Sequence, residues 1–201
     1  MALNLVLAQQ WDGIEALRQA FFQSVSISSS TGFVSNDFEQ WPVFSKFILL
    51  VLMFIGGCAG STAAGLKVSR VVIMVRYIWQ AAKAKLHPHQ VWGLTINGHR
   101  VGDDTVIRAA QFCFLYIMFI ALWALLLTFD GINTFDAIGI SVSTMGCIGP
   151  AFGITGATCT YAELSVFSKS ILCLSMLLGR LEMFTLLVML RKSFWKSRSS
   201  W

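Results

Sequence analysis

Three long apolar blocks alternate with more polar stretches along the chain. They run from Val43 to about Trp79, from Thr105 to Phe129 and from Leu164 to Leu190. Because about 20 helical residues cross the hydrocarbon core of a bilayer, each block is long enough to span a membrane. The first block is too long for one straight crossing, and the glycine-rich run 56–65 predicts a break within it. Backbone that is unwound at membrane depth must line a cavity or be buried in protein.

Two shorter segments have helical character but are too short to cross a membrane. Ile14 to Ser28 ends in a Ser-Ser-Thr-Gly-Phe turn, and Thr134 to Met145 ends in Gly-Cys-Ile-Gly-Pro. Their length is that of a re-entrant half-helix, which enters the membrane and turns back.

The two half-helices indicate an internal repeat. Aligning Gly32 with Gly149 pairs the Ser-Val-Ser sequence 24–26 with the same sequence at 141–143. Each copy contains a half-helix, a polar glycine turn and a long apolar helix. The second copy also begins with a full helix, of which the first copy retains only Met1 to Trp11. We therefore expect a chain that starts inside a repeat. The alternative is that this segment is a short interfacial helix of an intact protein.

Composition supports a membrane environment. Hydrophobic residues make up 56% of the chain and charged residues 12%, whereas soluble domains carry about 25% charge. The net charge is +5, and we interpret it as a topology signal that gives little support to nucleic-acid binding. The positive-inside rule places the loop around His87 and the C-terminus in the cytoplasm, so both half-helices open outward. The basic residues concerned are Lys67, Arg70, Arg76, Lys83, Lys85, Arg100, Arg108, Arg191, Lys192, Lys196 and Arg198.

The turns that follow the half-helices have the chemistry of an ion filter. Carbonyl groups of an extended turn can replace the water around a cation, and glycine permits the backbone angles that this requires. The negative pole at the C-terminal end of each half-helix would favour a cation beneath it. The alternative is a pair of ordinary loops. The candidate filter residues are Ser30, Thr31, Gly32, Phe33, Cys147, Ile148, Gly149 and Pro150.

Arg180 lies deep inside the last apolar block, where a charge is a functional-site hypothesis by default. The same repeat alignment places it opposite Ala63, in the glycine-rich break, so the two could meet at one depth below the filter. An arginine at that depth would repel cations and donate to the carbonyls of the unwound loop. A structural ion pair with Glu182 is the alternative.

Four segments together resemble the Trk/Ktr family of potassium transporters, of the TrkH/TrkG type. They are Thr31-Gly-Phe33, the run Gly56 to Lys67 with Arg70, Ile148-Gly-Pro150 and Gly179-Arg-Leu-Glu182. The resemblance covers essentially the whole chain. The family usually has Asn where Cys147 stands and Gly where Ala151 stands.

The resemblance implies an all-α polytopic membrane protein of the bacterial inner membrane that takes up potassium. The family has four pore-loop repeats around one potassium path, of which this chain would supply the third and fourth. Gly32 and Gly149 would be filter glycines, and Arg180 would plug the path. The implied partners are the lipid bilayer, a second subunit in a homodimer and a cytosolic nucleotide-binding Trk regulatory subunit. The intramembrane gate would comprise Gly56, Gly57, Gly60, Ser61, Thr62, Gly65 and Arg180.

Two functional hypotheses follow. The chain is either the pore-forming part of a potassium-conducting subunit, completed by an N-terminal half or a second copy, or a non-conducting remnant. No catalytic cluster supports an enzyme. The predicted organisation is a truncated repeat at 1–79, a cytoplasmic basic linker at 80–104 and a complete repeat at 105–201.

Overall fold

The computed structural model describes residues 1–58, 60–61, 63–86, 93, 95–96, 98–181, 183 and 188–189. The helices within them are α1 (Ala2–Gln9), α2 (Gly13–Ser28), α3 (Val43–Phe54), α4 (Val68–Leu86), α5 (Asp103–Phe129), α6 (Thr134–Met145) and α7 (Val166–Arg180). Two pairs of two-residue strands accompany them. β1 (Ile55–Gly56) pairs in parallel with β2 (Leu66–Lys67), and β3 (Thr95–Ile96) pairs antiparallel with β4 (His99–Arg100).

Both predicted half-helices form. α6 has the predicted bounds, and α2 begins one residue earlier than predicted. The first apolar block divides into α3 and α4 around residues 55–67, as the glycine-rich run predicts.

One predicted boundary differs from the structure. α4 continues to Leu86 rather than ending near Trp79, because the Ala, Lys, Gln and Leu residues of 80–86 are strong helix formers even though they are less apolar. The first part of the predicted linker is therefore helical, and β3 and β4 lie further along it. In the third block, α7 begins at Val166 after the capping residue Ser165 and reaches Arg180, and Met183, Val188 and Met189 are also helical.

By length and apolar character, α5 is the single helix among the described residues that could cross a membrane alone. α3 is apolar but has 12 residues, about 18 Å of helix. A crossing by the first block would therefore need α3, the break and α4 together.

α6 is the most enclosed element. Eight of its 12 residues are buried, and it packs against α5, α7 and α3. α2 packs between α1 and α3 in the same way. One buried cluster joins residues of both repeats. Large apolar side chains such as Phe44, Phe114 and Phe129 remain exposed on the outside, as a lipid-facing surface requires.

The starts of α3 and α7 reveal a second part of the repeat. Both helices begin with Val-Phe-Ser-Lys, at residues 43–46 and 166–169. Nine residues separate Phe33 from Val43, whereas 15 separate Pro150 from Val166. The second repeat thus contains a six-residue insertion between its turn and its inner helix.

This insertion corrects the predicted pairing of Arg180. Aligned on the shared tetrapeptide, Gly179 matches Gly56, and Arg180 matches Gly57 rather than Ala63. The single alignment offset used for the half-helices does not hold beyond the turns.

Equivalent serines attach each inner helix to the preceding outer element. Ser45 Oγ donates to Asn4 Oδ1 of α1 at 2.8 Å, and Ser168 Oγ donates to Asp130 Oδ2, just after α5, at 2.6 Å. These two hydrogen bonds attach α3 to α1 and α7 to the end of α5 through aligned serines.

Candidate functional site

The first turn (residues 29–33) reverses the chain at the C-terminal end of α2. The Thr31 amide donates to the Ser26 carbonyl at 2.9 Å, and Ser26 Oγ donates to the Phe33 carbonyl at 2.7 Å. Ser30 and Gly32 adopt left-handed backbone angles, with φ of 54° and 74°. A serine in this region is strained by about 1–3 kcal/mol, a cost often found at functional sites.

The second turn (residues 146–150) has the same geometry at the end of α6. The Ile148 amide donates to the Ser143 carbonyl at 2.9 Å, and Ser143 Oγ donates to the Pro150 carbonyl at 2.7 Å. Cys147 and Gly149 have φ of 50° and 112°. The sequence repeat is thus a repeat of backbone conformation, including the strained residue that is not glycine.

The two turns lie side by side. A Cβ added at Gly32 would collide with the carbonyl oxygen of Ile148 and would lie 3.1 Å from Pro150 Cδ. A Cβ at Gly149 would meet open space, so Gly149 is required for its φ rather than for a close contact. The structure therefore brings the two sets of candidate filter residues together.

The end of α7 lies directly beneath α6. A Cβ at Gly179 would collide with the carbonyl oxygen of Met145, the last residue of α6. The next residue is Arg180. Because a helix C-terminus carries partial negative charge, this position favours a cationic side chain.

The break between α3 and α4 is closed at its base by the β1–β2 pair. Ile55 aligns with Leu66 in parallel register, and the Val68 amide donates to the Gly57 carbonyl at 3.2 Å. Gly65 has φ of 86°, and a Cβ there would lie 3.6 Å from Gly146 Cα. The break therefore folds back against the base of the second turn.

A cavity of about 240 Å³ lies between this break, α5 and α7. Ala63 and Arg180 both line it, although they are not repeat equivalents. Lys67 and Arg70 make the cavity more electropositive, and the Arg70 guanidinium stacks 3.8 Å from the centre of the Phe112 ring. The lining comprises Ser61, Ala63, Ala64, Gly65, Lys67, Arg70, Phe112, Gly179 and Arg180.

The predicted gate residues therefore differ in their surroundings. Gly56 packs tightly, since a Cβ there would collide with the Ala64 carbonyl, and a Cβ at Gly57 would lie 2.9 Å from that of Ala63. Gly60 is exposed, with open space around it. Thr62 and Glu182 lie outside the described residues.

The family model described as "TrkH: Cation transport protein" matches residues 5–200. The chain belongs to this family. Its relatives include the Trk system potassium uptake protein TrkH of Salmonella typhimurium strain LT2, 35% identical over 184 residues, which are 91% of this chain and 38% of that protein. TrkG of Escherichia coli K12 is 28% identical over 181 residues, 89% of this chain and 36% of that protein.

The crystal structure of the potassium transporter TrkH from Vibrio parahaemolyticus has the same fold. It matches with a TM-score of 0.87 and 32% identity, over 97% of this chain and 42% of that one. This chain of the TrkH family thus spans about two fifths of the length of the relatives it matches.

Sequence reasoning missed two side chains next to the turns of this TrkH-family chain. The Tyr161 hydroxyl donates to the Gly149 carbonyl at 2.5 Å. Glu39 accepts from the Gly153 amide at 2.7 Å and pairs with Lys46 at 3.1 Å, which connects the two repeats. The Val-Phe-Ser-Lys repeat could have indicated Tyr161, because it aligns this residue with another aromatic residue, Phe38. The repeat does not indicate Glu39, because this residue aligns with Ala162, which has no polar side chain.

Proposed function

We propose that this chain supplies two pore-loop repeats of a TrkH-type potassium uptake subunit in the bacterial inner membrane. One observation carries the proposal: two half-helices end in turns of the same strained geometry, and the turns lie against each other. Two unrelated loops would have no reason to share their hydrogen bonds and their positive φ angles.

The chemistry of these turns suits a dehydrated cation. Their carbonyl oxygens would replace the hydration shell of potassium, and the C-terminal ends of α2 and α6 would stabilise the positive charge. The filter ligands would come from residues 30–33 and 147–150.

The electropositive cavity beneath the turns suits a gate. Arg180 would oppose a cation in the path while the break beside it restricts the passage. Because glycine allows the break to change its backbone angles, the segment could move without rearranging the helices on either side.

Two repeats occupy only part of the ring that encloses such a path. The other repeats would come from an N-terminal half or from a second copy of this chain. A homodimer and a cytosolic nucleotide-binding Trk regulatory subunit are the further partners we propose. The basic loop and tail would face the cytoplasm.

Growth of a potassium-uptake-deficient bacterium on low potassium tests this proposal. The chain would be expressed alone and together with the preceding part of a TrkH relative. Growth in either case supports conduction, and growth with the chain alone identifies a second copy as the completing half. No growth in either case, with the chain abundant in the membrane, would favour the non-conducting remnant.

The filter assignment is tested in the conducting assembly by Gly149→Ser. A side chain at φ of 112° distorts the second turn, so we expect a lower preference for potassium over sodium in uptake assays. Gly131→Ser is the matched control, because Gly131 also has a positive φ of 84° and open surroundings but lies between α5 and α6. Equal selectivity in the two variants would show that Gly149 is not part of the filter.

A further inference from the structure

Tyr161 connects the loop above the second turn to the turn itself. It begins a short 3-10 helix, Tyr161–Glu163, which precedes α7. Its hydroxyl donates to the Gly149 carbonyl at 2.5 Å. Its ring packs against the apolar cluster formed by α5, α6 and α7. This packing fixes the position of the phenol next to the turn.

The first repeat has the same architecture without this hydrogen bond. Aligned on Val-Phe-Ser-Lys, Tyr161 matches Phe38, and the 3-10 helix Phe38–Gln40 matches Tyr161–Glu163. Phe38 is fully buried, with its ring 5.7 Å from that of Phe152 in an edge-on arrangement. A phenylalanine has no hydroxyl to donate, so the two otherwise matching turns are supported differently.

We infer that Tyr161 is a positioning residue that sets ion selectivity by fixing the carbonyl of Gly149. The inference rests on the proposed ion path. A carbonyl oxygen has two lone pairs, so one can accept from the phenol while the other faces a cation. The hydrogen bond restrains the peptide that carries this oxygen. A restrained ligand cannot close around a smaller, more strongly hydrated ion such as sodium.

The restraint matters more in the second turn than in the first. Gly32 packs directly against the Ile148 carbonyl, whereas Gly149 has open space on its Cβ side. The second turn therefore lacks, at its glycine, the steric support that the first turn has. Tyr161 supplies a polar restraint at that position.

The test is Tyr161→Phe in the conducting assembly, which removes one oxygen and keeps the ring. We expect the potassium-over-sodium preference, measured from the concentration dependence of uptake of each ion, to fall about threefold to tenfold, the range of one neutral hydrogen bond. The maximal potassium uptake rate and the membrane abundance should stay near those of the parent. Tyr77→Phe is the control, because Tyr77 is exposed on α4.

A purely structural role for Tyr161 gives a different result. Tyr161→Phe would then retain the parental selectivity, while Tyr161→Leu, which removes the ring, would lower abundance. That outcome overturns the inference. If Gly149→Ser also leaves selectivity unchanged, the filter assignment itself fails. If Gly149→Ser alters selectivity and Tyr161→Phe does not, only the role of the phenol is rejected.

Discussion

Arg180 is held at the base of the second turn by the glycine that precedes it. Gly179 allows α7 to touch the last carbonyl of α6, which places the next side chain beside the negative end of that helix and on the electropositive cavity. In the sequence, a charge inside an apolar block is compatible both with a gate residue and with a structural ion pair. The two roles predict opposite effects of removing the charge.

Arg180→Ala should raise potassium flux in the conducting assembly, because it removes a positive charge from the proposed path. Rubidium uptake into cells measures this directly. Arg180→Lys should stay close to the parent, since the charge is retained. Arg108→Ala is the control, because Arg108 is exposed on α5 and lines a different cavity. Unchanged or lower flux in Arg180→Ala would indicate a structural ion pair.

Asp130 gives the link between α5 and α7 a predictable dependence on pH. Hydrogen bonds from Ser165 and Ser168 lower the pKa of Asp130 below its ordinary value, which is about 3.9. A lowered folded-state pKa stabilises the fold above the unfolded-state pKa, and this contribution is lost as the pH falls through the folded-state pKa.

We therefore expect Asp130→Asn to lower the unfolding temperature in detergent by the same amount at pH 7 and pH 5. Below about pH 4 the difference from the parent should shrink, because the parental carboxylate becomes protonated. Ser170→Ala is a control on the exposed side of α7. A difference that does not change with pH would show that the carboxylate charge is not involved.

At the scale of elements, the break between α3 and α4 contains tightly packed glycines as well as Gly60, which has open space around it. The β1–β2 pair holds its two ends together, so the loop has a fixed base and an exposed part. Sequence alone treats the glycines of this run alike, since it shows composition and not contacts.

Gly56→Ala should destabilise the protein by about 1–3 kcal/mol, the usual cost of overpacking, because the new Cβ would collide with the Ala64 carbonyl. Gly60→Ala should change the stability by less than about 0.5 kcal/mol, since nothing surrounds it. Thermal unfolding of both variants in detergent measures the difference. Equal effects would contradict the packed base of the loop.

The elements also show how far the sequence could predict the fold. The half-helices, the turns and the break were predictable, because length and glycine content are local signals. The end of α4 was not, since hydropathy indicates membrane depth while helix propensity decides where the helix ends. Arg180 and Ala63 line the same cavity, as predicted, but their alignment as repeat equivalents was wrong, because a six-residue insertion shifts the alignment and only the second tetrapeptide reveals it.

At the scale of the whole molecule, the loop 151–165 and the α4–α5 connection should lie on opposite sides of the membrane. Cys159 is exposed in that loop, so an impermeant maleimide should modify it in intact spheroplasts. Lys83→Cys, on the exposed end of α4, should react only after permeabilisation. Peptide mapping by mass spectrometry identifies the modified thiol, and the reverse pattern would invert the proposed topology.

The site was only partly predictable at this scale. Two turns could be recognised in the sequence, but their direct contact, and the connection from Glu39 to Gly153, depend on packing between residues more than 100 positions apart. No local pattern contains that information.

The six extra residues of the second repeat give the entrance of the proposed path an uneven rim. Their 3-10 turn, Gly153–Thr155, has no counterpart after the first turn. An entrance built from similar repeats would otherwise approach fourfold rotational symmetry. A symmetric blocker such as a tetraalkylammonium ion would then find equivalent contacts in each quadrant, whereas in the assembly we propose the additional chain would occupy one quadrant. Such ions should therefore block the proposed conducting assembly weakly from outside, and shortening the inserted segment should make the block stronger.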